Sequence, residues 1–70
     1  MITMEDAIKK ARYFLVELVG ITSTLLLKEA KLKGKKWIIT FKTNVHYYLV
    51  EVDAEKGNVI DYEERIGIPI

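Results

Sequence analysis

Apolar residues recur at three- and four-residue spacing near the start of the chain. Met4, Ala7, Ile8, Ala11, Phe14, Leu15 and Leu18 draw one stripe, while Glu5, Lys9, Lys10, Arg12 and Glu17 fall off it. That spacing predicts an amphipathic helix over residues 4–19. Thr3 is placed as its N-cap, where a hydroxyl accepts a hydrogen bond from a free first-turn N–H. Glu5 and Asp6 put negative charge at the positive end of the helix dipole. Gly20 stands where a left-handed residue ends a helix.

Beyond Gly20 the period falls from 3.6 to 2. Residues 24–33, 36–43, 47–53 and 58–64 read as four strands. Gly34-Lys35, Thr43 to His46, and Asp53-Ala54-Glu55-Lys56-Gly57 supply the turns, and Gly57 offers the positive φ that re-entry into a strand requires. Short turns imply a meander ordered 1-2-3-4. The register follows from keeping apolar side chains on one face. Trp37 then opposes Val52, Ile39 opposes Val50 and Phe41 opposes Tyr48. Leu32 opposes Trp37, Ala30 opposes Ile39, Val50 opposes Ile60 and Tyr48 opposes Tyr62. This scheme places Leu26, Ile60 and Tyr62 on the inner face. Lys28 also falls there, at an edge where its stem can lie along apolar surface with the ammonium in water.

The expected fold is α+β: an N-terminal amphipathic helix packed on one face of a four-stranded antiparallel meander. Residues 1–65 form a single domain, and residues 66–70 an apolar tail in which Pro69 disfavours a central strand. A chain of 70 residues buries only about 60% of the surface it exposes when unfolded. It has no cysteine, so disulfides and thiolate metal sites are excluded, and its one histidine, His46, makes a poor start for a zinc site. Stability must come from packing and self-association. No apolar run approaches the roughly 20 residues that span a bilayer, and the start lacks the pattern of a secretion signal, so a cytoplasmic protein is expected. Abundant Lys, Glu and Ile, no Gln and only two Asn fit a thermophilic source.

The segment from Tyr48 through Val52-Asp53-Ala54-Glu55-Lys56-Gly57-Asn58-Val59-Ile60, with Tyr62 following, is similar to the signature of PepSY domains. In that family a strand of alternating apolar residues ends in Val-Asp-Ala, turns through glycine and resumes with an apolar pair. Trp37-Ile38-Ile39-Thr40-Phe41 falls where the family has its preceding strand, and the resemblance covers roughly residues 5–64. It implies a non-catalytic domain with an inhibitory or regulatory role exerted through protein contact.

The residues offer little for catalysis. Ser23 is the only serine and lies in a connecting segment; no Gly-x-Ser-x-Gly elbow surrounds it. Asp53 and Asp61 would flank a solvated hairpin with nothing apolar to raise one pKa. Glu51, Asp53, Glu55, Asp61, Glu63 and Glu64 could hold a hard cation weakly, but a solvated acidic face explains them more simply. No enzyme activity, metal, cofactor or small-molecule substrate is expected.

Two binding surfaces remain. Lys31, Lys33, Lys35 and Lys36 form a basic hairpin next to Trp37, which suits a nucleic-acid contact. The plainer reading is that these lysines protect an edge strand, and net charge is only +1. The basic first hairpin and acidic second one make the domain electrically two-sided. The other surface is the face away from the helix. Leu27, Ile38 and Leu49 are expected there, with Ile66, Ile68 and Ile70 of the tail reaching over it or over a neighbour's. That surface suits a homodimer, or contact with another protein; a tail closing over its own sheet is the intramolecular alternative.

Overall fold

A computed structural model describes residues 1–66. It has one N-terminal helical segment against a four-stranded antiparallel sheet in the order β1-β2-β3-β4. Helix α1 spans Met4–Tyr13 and continues without a break as a π-helical segment, Phe14–Val19. The strands are β1 (Leu26–Lys33), β2 (Lys36–Lys42), β3 (His46–Asp53) and β4 (Val59–Ile66). β4 thus takes in Ile66, the first residue of the expected tail. Ile68 and Ile70 lie outside the described residues.

The helix begins as its sequence requires. The Thr3 hydroxyl accepts from the Asp6 N–H at 3.1 Å, and Gly20 ends the segment at φ 88°. Ala7, Ala11 and Leu15 are buried, with Ile8 and Phe14 packed beside them. Leu18, expected on this stripe, is 69% exposed, and Val19 packs against the core instead. The π geometry is the reason. A turn closed by i→i+5 hydrogen bonds holds more residues than an α turn, so the position that returns beneath Leu15 moves one place along the chain.

Between β1 and β2, and between β2 and β3, the apolar pattern sets the pairing as expected: Leu32 opposes Trp37, Ala30 opposes Ile39, Ile39 opposes Val50 and Phe41 opposes Tyr48. Two bulges change the rest. In β1 the register shifts between Leu27 and Glu29, so Lys28 is the extra residue and Leu27 opposes Phe41. The Lys28 ammonium therefore lies over the Tyr47 ring on the outer face, 5.7 Å from its centroid, and a lysine leaves the inner face. Leu25 enters the core in place of Leu26, which is exposed. In β4 the shift lies between Glu51 and Val52 in the pairing, leaving Ile60 extra. Val52 opposes Val59, Val50 opposes Tyr62 and Tyr48 opposes Glu64, two residues along from the expected pairing.

The core of Ile39, Phe41, Tyr48, Val50 and Val52 sits between sheet and helix. Chain entry is fastened to the far end of the sheet. The Ile2 N–H donates to the Ala54 carbonyl at 2.7 Å, and the Trp37 indole donates to the Ile2 carbonyl at 3.2 Å. In the Asp53–Asn58 turn the Asp53 carboxylate accepts from the N–H groups of Glu55 and Lys56, both at 2.8 Å, and Gly57 adopts φ 79°. The shortest dimension is 17 Å, room for one helix on one sheet, and among the described residues no element covers the outer face.

Candidate functional site

The open outer face is set by strand parity and the two bulges. Its centre is Ile38 on β2 and Leu49 on β3, both half-buried and on neighbouring strands. Thr40 and Tyr47 complete the partly buried middle. Tyr47 lies between two ammonium groups, Lys28 at 5.7 Å and Lys42 at 5.9 Å from its ring centroid, which holds the ring by cation–π attraction.

Charge divides this face along the strand direction. The β1–β2 half carries Lys28, Lys31, Lys33, Lys36 and Lys42, with Glu29 the only carboxylate. The β3–β4 half carries Glu51, Asp53, Asp61 and Glu63, with Arg65 the only cation. A few charges are neutralised locally. Lys36 and Glu51 pair across the midline at 2.9 Å, and that hydrogen-bonded carboxylate raises the Lys36 pKa. Arg65 holds Glu63 at 2.8 Å, and Lys31 meets Glu29 at 3.6 Å. Among the described residues Lys33 and Asp61 make no ion pair. Exposed pairs of this kind are screened by water and add little to stability, so the division of charge matters more for recognition. A hollow of about 260 Å³ opens on the acidic half, lined in part by Ile38, Leu49, Glu51 and Asp61.

The structure separates the expected interface residues. Ile38 and Leu49 lie together on the open face. Leu27 does not, because the bulge at Lys28 pairs it with Phe41 and turns it to the helix side. Ile66 opposes His46, which likewise puts it on the helix side of the sheet, at its end and 72% exposed. Of the basic hairpin, Lys31, Lys33 and Lys36 share the open face, while Lys35 sits in the turn 3.8 Å from Glu55. Trp37 points to the opposite face and its indole is engaged by Ile2, so the ring is not beside the lysines.

Comparison with protein-family models, with curated proteins and with solved structures finds no match.

The expected acidic residues are put to structural use. Asp53 spends its carboxylate on the turn, and the N–H groups of Lys56 and Glu55 hold its pKa below the usual range. Asp61 opposes Glu51 on the open face. Among the described residues no group of three or more His, Asp or Glu side chains could hold a metal ion. One cluster went unnamed in the sequence. On the helix side the Tyr48 hydroxyl donates to Glu64 at 3.2 Å, and His46 Nε2 lies 3.4 Å from the same carboxylate. Burial, and then the Glu64 charge, raise the Tyr48 pKa. The alternation of the sequence pairs Tyr48 with Tyr62, so only the bulge at Ile60 reveals Glu64 as its partner. No helix is long and apolar enough to cross a membrane among the described residues.

Proposed function

We propose that this chain is a non-catalytic interaction domain that works by protein–protein contact, and that its open sheet face receives a second copy of itself. The observation that carries the reading is a half-buried aliphatic pair, Ile38 and Leu49, at the centre of a sheet face that none of the described residues covers, with charged flanks. An apolar centre within a polar rim is the anatomy of an interface. Four strands about 4.8 Å apart and about 25 Å long offer roughly 500 Å² per copy. Roughly 1,000 Å² in total is the lower bound for a specific contact, which fits a reversible dimer. The resemblance of residues 5–64 to PepSY domains supports a role in contact rather than catalysis.

Nucleic acid is the weaker reading. Lys31, Lys33 and Lys36 share a face, but Trp37 is not available beside them as a stacking platform.

Sedimentation of nuclease-treated protein over a range of concentrations tests the proposal. The intact chain is expected to dimerise, and Ile38→Lys to run as a monomer with an unchanged circular dichroism spectrum. An intact chain that stays monomeric at high micromolar concentration refutes the reading. So does mass lost on nuclease treatment, which would point to bound nucleic acid.

A further inference from the structure

We infer that the two copies are related by a two-fold axis running parallel to the strands, so that the lysine-bearing half of each open face lies over the carboxylate-bearing half of the other. The inference rests on the dimer proposed above and adds its geometry. A face-to-face pair of sheets closed by a two-fold axis has two simple arrangements. An axis across the strands sets β1 over β1 with its direction reversed, and about the centre of the sheet this brings Lys36 against Lys42 and Asp61 against Glu63 of the second copy. An axis along the strands exchanges the sheet's edges, setting β1 over β4. The first also sets Lys31 over Glu29, but only the second lays the lysine-bearing half over the carboxylate-bearing half.

The cross-strand rows give the contacts. Lys31, Ile38, Glu51 and Asp61 oppose one another in sequence across the four strands. Exchange of edges brings Lys31 of one copy over Asp61 of the other, twice in each dimer. Lys31 can then extend into the hollow that Glu51 and Asp61 line, reaching a carboxylate that makes no ion pair within its own chain among the described residues. In releasing Glu29 it leaves a contact of 3.6 Å whose members are both more than half exposed. The same exchange sets Ile38 over Glu51 and Leu49 over Thr40 of the other copy, with the aliphatics placed diagonally about the axis. The one like-charge opposition sets Glu29 over Glu63, a carboxylate its own Arg65 already holds at 2.8 Å.

Charge exchange tests the geometry. Lys31→Glu alone and Asp61→Lys alone each create two like-charge oppositions per dimer. Each is expected to weaken self-association about tenfold or more at low salt. Mixed one to one, the two variants form a heterodimer in which both pairs are again opposite in sign. Native mass spectrometry should find that heterodimer in preference to either homodimer. This recovery also shows that neither variant has merely failed to fold. If the unmodified chain dimerises but the single variants are unaffected, or their mixture shows no preference, the strand-parallel axis is wrong and the dimer stands. A monomeric unmodified chain overturns both.

Discussion

Leu15 and Leu18 stand three residues apart on one helical segment, yet the first is fully buried and the second 69% exposed. Truncating each to alanine measures what the π segment does. Leu15→Ala removes three buried carbons, about 2.4 kcal/mol at ~0.8 kcal/mol per buried methylene. The space left behind raises the cost to about 3–5 kcal/mol, because Leu15 belongs to one packed core with Ala11, Phe41 and Val50. A domain of 70 residues has about 4–10 kcal/mol in all, so the variant sits near its folding threshold. Leu18→Ala is expected to change stability by less than about 0.5 kcal/mol. Val19→Ala, partly buried, should cost about 1 kcal/mol. Urea titration followed by far-UV circular dichroism gives all three values, at one protein concentration because association shifts the midpoint. An ordinary α-helix through Val19 would bring Leu18 back to the buried side next to Val19. If Leu18→Ala costs more than about 1 kcal/mol, the argument from the π turn is refuted.

Gly57→Val should destabilise the chain by more than about 1 kcal/mol in the same titration, since φ is 79° and a new Cβ would meet the Ile2 side chain at 3.4 Å; an unchanged midpoint would mean that the turn has another conformation. The Asp53 pKa is lowered on folding, so the unfolded chain binds more protons in acid and stability rises with pH there. Its contribution is complete above the ordinary carboxylate range and lost as pH falls through the lowered native value. Asp53→Asn keeps the acceptor oxygen and removes the titration, so the acid-side decline in urea midpoint should be shallower; superimposable acid limbs would remove Asp53 from the account.

The parts of the fold legible in the sequence are those with one reading of the alternation. Trp37, Ile39 and Phe41 alternate with Lys36, Ile38, Thr40 and Lys42, of which only Ile38 is apolar, so matching them against Val52, Val50 and Tyr48 leaves β2 and β3 one acceptable register. The helix start is equally explicit in Thr3, Glu5 and Asp6. The bulges fall where alternation carries no information. Leu25-Leu26-Leu27 is apolar at every position and fits either parity, and so does Val59-Ile60. A trace of the first bulge was present in the sequence: a regular strand leaves Lys28 on the inner face, and a one-residue bulge is the least change that removes it. Nothing comparable marked the second. The π segment is likewise invisible to periodicity, because Val16, Leu18 and Val19 are all apolar and allow several stripes. For the candidate surface this meant that Ile38 and Leu49 were placed correctly by β2–β3 pairing, while Leu27 and Ile66 depended on strands whose parity the bulges and strand ends decide.

The attachment of Ile2 has a kinetic meaning. Each strand pairs with the next through a short turn, so the sheet assembles by local closures that cost little chain entropy. Ile2 is different, since its N–H reaches Ala54 and its carbonyl the Trp37 indole, across most of the chain. That closure is rewarded only once the β2–β3 hairpin and the Asp53 turn are in place to receive it. The strap is therefore expected to close late in folding and to open early. It also leaves the only tryptophan reporting on the strap, so indole fluorescence follows the release of the N-terminus, whereas circular dichroism follows the sheet.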